Sequence, residues 1–289
     1  MQEIDKNSVG ELIAGKTVFL VGNSKNAGKT TFLNYCLPKV RTITSPAYLT
    51  IGIDGENEDL IFGTPKPRIF AEKDDIIITT DAMLEKSDGL FEIIDIMPFQ
   101  NVMGRIVLIK CLRPGFIEIV GAENNKQLSA VISKIETNGL NTIIVDGAAN
   151  RQTQTASVSG GYFFYIMKIT KQNFNSVIDN LRSLELINRL DEFNYDIDSF
   201  IDITGALTGD RVKRIEAESI VVINDFTKVF VDFVSLRKLS ENCKLFIKNK
   251  MKPLSFVFNL QDITQAEIKD LLEKYNLNIP YMFNPYQNF

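Results

Sequence analysis

Residues 21–31 (VGNSKNAGKTT) place glycine, lysine and two threonine hydroxyls directly after a short apolar run. That combination suits the binding of a polyphosphate. Backbone N–H groups from Asn26 to Thr30 would point into a loop and meet a phosphate at a helix N-terminus. Gly28 lets the backbone approach where a Cβ would obstruct. Lys29 would reach the β- and γ-oxygens as a mobile point charge, and Thr30 supplies a hydroxyl for Mg²⁺. The candidate nucleotide contacts are therefore Asn26, Ala27, Gly28, Lys29, Thr30 and Thr31. The usual spacing of such a loop wants glycine at position 23, where this chain has Asn23, with Gly22 one place early. Asparagine tolerates left-handed backbone angles, so the loop can still close. Lys25 reads more simply as a solvated loop lysine than as a second phosphate ligand.

A metal at Thr30 needs a carboxylate. Asp146 ends the apolar run at residues 142–145 (TIIV) and is the expected metal ligand, ahead of a plain Asp-Gly turn. Asp95, at the end of FEIID, is the rival. Asp54, in LTIGIDGE between Thr50 and Glu56, is a candidate catalytic residue beside Lys29. Residues 50–56 are expected to act as a nucleotide-responsive switch, hinged at Gly52 and Gly55. Arg151 could face the γ-phosphate or simply solvent. Base specificity is not readable, so ATP and GTP both stay open. The nearest thing to a guanine-reading motif, Asn259-Leu260-Gln261-Asp262, has leucine where lysine would stack on the base, and it reads better as a strand end.

Histidine is absent from the 289 residues, which removes Ser-His-Asp and Cys-His chemistry and imidazole metal ligation. Chemistry is left to carboxylates, lysine, hydroxyls and metal. A net charge of −4 argues against a broad nucleic-acid footprint. The longest apolar stretches fall far short of a membrane span, and the polar, acidic start reads as neither secretory signal nor transit peptide. Cytoplasm is the expected location. Cys36, Cys111 and Cys243 lack ligand-type spacing and read as small buried hydrophobes.

The elements that must hold these residues alternate. Strands are predicted at residues 17–21, 40–43, 75–79, 91–96, 105–110, 116–120, 142–145 and 162–169, with a hairpin over 59–62 and 68–70. Helices are predicted at residues 29–37, stopped by Pro38, at 81–86, at 124–137 with Asn138-Gly139 as its stop, and along Val177, Leu181, Leu184 and Ile187. The acidic run at residues 190–198 suggests a boundary, giving a nucleotide-binding domain over 1–192 and a C-terminal α/β region over 193–289, the two readable also as one continuous domain. Strands at 200–203, 219–223, 245–248 and 255–258 follow, then a helix at 264–275 opened by a Thr264/Glu267 capping box. The expected fold class is α/β, P-loop NTPase-like, with a mostly parallel sheet flanked by helices.

The segments GNSKNAGKTT, LTIGIDGE, GRIVLIKCLRPGFIEIVGA, TIIVDGAANR and ITGALT together resemble a family of bacterial P-loop proteins encoded near lysine fermentation enzymes. The chain is similar to the ATP-binding component of a reactivating factor for lysine aminomutase, a cobalamin- and pyridoxal-phosphate-dependent enzyme. The resemblance covers most of residues 17–260. It implies Lys29, Thr30, Asp146 and Asp54 as nucleotide and metal contacts, with ATP and Mg²⁺ as ligands. It also implies a protein partner, either the aminomutase or a homologous subunit, and slow ATP hydrolysis used to change that partner. A homodimer stays open. The alternative is a metabolic kinase or ligase of the same fold class acting on a small acceptor.

Overall fold

A computed structural model of the chain describes residues 2–51, 69–147, 161–194, 196–197 and 199–286. The chain forms two compact units, one of Asp5–Ser157 with Phe164–Ile166, the other of Met1–Ile4, Val158–Phe163 and Met167–Phe289.

The N-terminal unit is built on one sheet. Its order is Phe164–Ile166, Thr17–Gly22, Ile143–Asp146, Ala47–Thr50, Ile76–Thr80, Gly104–Arg113 and Leu90–Asn101. Thr17–Gly22, Ile143–Asp146, Ala47–Thr50 and Ile76–Thr80 run parallel, and the last two strands add an antiparallel hairpin. Val18, Phe19, Leu20, Ile143, Ile144 and Val145 are wholly buried, as near-continuous apolar strands in a parallel sheet must be. The helix Asn125–Thr137 begins where the Asn124 side chain accepts from the Gln127 amide, and Leu128, Val131, Ile132 and Ile135 form its buried stripe. It stops at Gly139, whose φ of 80° favours glycine.

Two expectations give way here. The helix after the loop does not end at Pro38 but runs Lys29–Arg41 with the proline inside it. Pro38 is exposed, and it costs the helix one internal hydrogen bond. What holds the last turn is Val40, fully buried, and Arg41, whose guanidinium forks onto Asp75. Residues 40–43 are consequently helix end and turn rather than strand, with Ile43 and Thr44 both donating to the Val40 carbonyl. Val40 completes the apolar spacing of Leu33, Cys36 and Leu37. The next strand is Ala47–Thr50. Of the hairpin expected over 59–70, only Ile69–Ala71 is described, and it pairs with Gly115–Ile117.

The C-terminal unit carries Gln2–Glu3, Pro280–Phe283, Lys252–Leu260 and the ends of Tyr162–Ile169 in that order. A second, wholly parallel sheet runs Asp191–Glu192, Lys244–Ile247, Ile220–Ile223 and Ile201–Ile203. The helices Phe174–Arg189, Phe233–Asn242 and Gln265–Lys274 belong to the same unit. Thr264 and Glu267 form the expected capping box. The acidic run after Leu190 lies inside this unit, and its Phe193 packs with Val222 and Phe246. Among the described residues no helix is long and apolar enough to cross a membrane.

Candidate functional site

The strand Thr17–Gly22 hands the chain to a loop that turns into the helix Lys29–Arg41. Two residues in the loop take left-handed angles: Asn26 at φ 59° and Gly28, the residue before the helix, at φ 103°. Gly28 is required there because an L side chain is strained at that angle. Asparagine at 26 is among the residues that tolerate it.

Asn23 is not among the left-handed residues, so the expectation that its tolerance of such angles closes the loop is corrected. Its amide continues the sheet by donating to the Ile166 carbonyl at 3.1 Å. The early glycine has its own reason. A Cβ on Gly22 would stand 3.2 Å from the Ala27 Cβ and 3.3 Å from Cγ and Cδ of Lys29. Gly22 thus leaves room for the stem of Lys29 to lie against the strand end. Ala27 is buried beneath the loop, Lys29 and Thr30 are half-buried, and Asn26 and Thr31 are exposed.

Across the sheet, Asp146 sits at the C-terminal end of its strand, level with Leu20 on one side and Thr50 on the other. The Thr30 hydroxyl donates to Asp146 Oδ2 at 2.7 Å. The two sequence-predicted metal ligands, 116 residues apart, are therefore in direct contact. Both offer oxygen, the ligand type that hard cations such as Mg²⁺ take. Asp146 is only 6% exposed, which strengthens any charge interaction made there.

Among the residues around Asp146, the sequence marks Thr50 only as a switch end and Gly147 only as a turn residue, and Gly121 is not singled out at all, yet all three pack together here. Thr50, 7% exposed, donates from Oγ1 to the Asp146 carbonyl at 3.3 Å, and the Ile51 amide donates to the same carbonyl at 2.8 Å. Gly147 has φ 103°, and a Cβ on it would stand 2.9 Å from Thr50 Oγ1. Gly121 lies against Thr50 on another side, where a Cβ would fall 1.7 Å from the Thr50 carbonyl oxygen. Asn101 fixes Gly121 by donating to its carbonyl at 3.2 Å. The end of the strand Ala47–Thr50 is clasped between two glycines beside the candidate metal ligand. The sequence signals were present in VGA and VDG, but they acquire meaning only once the strands are adjacent.

The rival carboxylate is elsewhere. Asp95 lies on the edge strand Leu90–Asn101 and bonds Lys134 at 2.5 Å, a contact that holds its carboxyl below the usual range. Asp54, Glu56, the hinge glycines Gly52 and Gly55, and Arg151 lie outside the described residues. Leu260 is the last residue of its strand and is buried, and Asp262 accepts from the Lys171 amide at 3.0 Å, so the NLQD segment is the expected strand end. Among the described residues no group of three or more Cys, Asp or Glu side chains could hold a metal. A cation at Thr30 and Asp146 would take its other ligands from bound phosphate and water. No protein-family model, curated protein or solved structure matches this chain.

Proposed function

We propose that this chain binds a nucleoside triphosphate with Mg²⁺ at the loop over residues 21–31, and that it is an ATPase of the P-loop type acting on a protein partner. The observation that carries this is the 2.7 Å contact between Thr30 and Asp146, at the mouth of a loop that turns on Gly28 into a helix of 13 residues. Amides in the first turn of a helix have no acceptor within it and favour an anion. Lys29, its stem resting over Gly22, brings a positive charge to the same point. Mg²⁺, when bound, would neutralise charge on the β- and γ-oxygens.

The chain's own residues supply binding and positioning. Thr30 and Asp146 orient the cation, Gly28 opens space for the phosphate, and Lys29 attracts the terminal oxygens. The clasp of Gly121 and Gly147 on Thr50 ties the strand before residue 52 to Asp146. A shift at Asp146 on nucleotide turnover would thus be passed to that strand, which is the differential contact a nucleotide switch needs. The partner we propose is a cobalamin- and pyridoxal-phosphate-dependent aminomutase. Support for it is the resemblance of the five sequence segments.

Phosphate release from ATP, measured with and without such an aminomutase, tests the reading. Turnover that rises with the protein partner and disappears with Lys29→Ala supports it. Turnover that instead requires a small-molecule acceptor would make the chain a kinase or ligase.

A further inference from the structure

The strands Ala47–Thr50 and Ile76–Thr80 run side by side only at their start, where Ala47 pairs with Ile76 and Tyr48 with Ile77. Beyond that point residues 118–122 take up the space between them. Ile51 makes a parallel bridge to Ala122 on one side. On the other, the Thr79 hydroxyl donates to the Glu118 carbonyl at 2.8 Å, and Asn101 Nδ2 donates to the Gly121 carbonyl at 3.2 Å. Backbone carbonyls outside a sheet ladder need other donors, and here two side chains supply them.

Asn101 stands at the turn that joins Leu90–Asn101 to Gly104–Arg113. Because Thr80 pairs with Ile106, this turn lies beyond the C-terminal end of Ile76–Thr80, the same end at which Asp146 closes its own strand. The Asn101 side chain is buried and uses both halves of its amide. Nδ2 holds Gly121, and Oδ1 accepts from the Met103 amide at 2.8 Å. Asparagine offers a donor and an acceptor on one short stem, whereas an ionised aspartate offers acceptors alone. The turn is tied down again by Asp81, which accepts from the Arg105 amide at 3.0 Å and from its guanidinium at 2.9 Å. Gly121 lies against Thr50 with no side chain between them, and Thr50 pairs in register with Asp146.

We propose that Asn101 is a positioning residue for the candidate cation site, an inference that rests on the nucleotide reading above. Its own bonds go to Gly121 and Met103, not to the loop. It acts through the backbone: Asn101 sets Gly121, and Gly121 sets the end of the strand Ala47–Thr50. That strand end fixes the Asp146 backbone, from which the carboxylate reaches Thr30. Close-packed backbone passes on a displacement, because at Gly121 no flexible side chain is there to absorb it. Groups that orient a metal ligand from behind govern how tightly the metal is held.

The Mg²⁺ concentration that half-saturates ATP binding by the full chain tests this, with ATP binding in EDTA as the reference. Asn101→Ala loses both bonds, whereas Asn101→Asp at pH 8 keeps an acceptor for Met103 and loses the donor to Gly121. Both should raise the Mg²⁺ requirement roughly tenfold, as loss of a group behind a metal ligand does, and leave metal-free ATP binding within about twofold of wild type. In the Asp146→Asn background neither should add to the loss. Asp81→Ala, which loosens the same turn without a bond to Gly121, should leave the requirement unchanged. Hydrogen exchange gives a readout without any ligand. The Ile51 amide, which donates to the Asp146 carbonyl at 2.8 Å, should exchange faster in both Asn101 variants and not in Asp81→Ala. An unchanged Mg²⁺ requirement, an effect fully additive with Asp146→Asn, an equal rise in Asp81→Ala, or unchanged Ile51 exchange would each overturn the proposal. A wild-type chain that binds no nucleotide overturns both readings, whereas Mg²⁺-dependent binding that the Asn101 variants leave intact overturns this one alone.

Discussion

At the scale of single residues, Lys29 and Asp146 differ in what holds them. Lys29 is half-buried and lies against Gly22 without filling the core. Lys29→Ala should therefore leave the unfolding free energy of the nucleotide-free protein within roughly 0.5 kcal/mol of wild type while abolishing stabilisation by nucleotide. An unfolded apo variant, seen by circular dichroism, would give Lys29 a structural role instead. Asp146→Asn keeps the shape and removes the charge that Mg²⁺ prefers. It should weaken Mg²⁺-dependent nucleotide binding, measured by calorimetry, well beyond any effect of Asp95→Asn. Asp95 holds a half-exposed pair with Lys134, of a kind typically worth only about 0–1 kcal/mol. If Asp95→Asn is the more damaging, the assignment of the metal ligand is wrong. The thiols add a pH prediction. Burial pushes Cys36 well up and Cys111 up to about 11, so in the folded protein both stay protonated where a free thiol would ionise. Their folded values lie above their unfolded ones, so the stability they contribute is intact below the ordinary thiol range. It declines as pH rises from there through the folded values. A thiol-specific chromogenic reagent at pH 8 should leave Cys36 and Cys111 unmodified until denaturant is added, and rapid native reaction at either would contradict their burial.

At the scale of elements, the helix Lys29–Arg41 is held at both ends. Its first turn carries the candidate phosphate contacts, and its last carries Arg41, which forks onto Asp75 at 3.1 and 2.5 Å and reaches the Phe70 carbonyl at 2.9 Å. Asp75, 1% exposed, also accepts from the Tyr48 hydroxyl at 2.9 Å. Arg41 also pairs with Glu72 at 3.0 Å. Removing Asp75 therefore leaves the buried Tyr48 hydroxyl without this acceptor and the guanidinium with one carboxylate. Breaking a buried pair costs about 3–5 kcal/mol. Asp75→Ala should lose about that much in urea unfolding; a loss within the range of an exposed pair would show the network to be ornamental. This anchor also explains a misread boundary. Pro38 looks like a stop in sequence, yet Val40 and Arg41 lie beyond it with partners that local pattern cannot reveal. The legible elements were those with strong local signals. Residues 125–137 had an asparagine cap, an apolar stripe and a glycine stop, residues 162–167 were an unbroken apolar and aromatic run, and Thr264 and Glu267 formed their box. In the candidate site, the turn on Gly28 into the helix and the contact of Thr30 with the strand-end Asp146 were legible, because a strand, a Gly-rich loop and a helix follow one another locally in sequence. The packing of Thr50, Gly121 and Gly147 was not, since each acts only against a strand distant in sequence.

At the scale of the whole molecule, the adjacent parallel strands Thr17–Gly22, Ile143–Asp146 and Ala47–Thr50 bring the loop, Asp146 and Thr50 together at their C-terminal ends, where ligands of open α/β sheets gather. A ligand that binds only the folded form stabilises it by mass action, by about 2.7 kcal/mol at a hundredfold excess over its dissociation constant. Thermal unfolding of the full chain with Mg-ATP, Mg-GTP and no nucleotide is therefore the most direct measurement. The unfolding transition should rise by several degrees with at least one of the two nucleotides, require Mg²⁺, and stay at the apo value in the Lys29→Ala variant. A transition that neither nucleotide moves at saturating concentration would contradict the assignment of this loop as a triphosphate site.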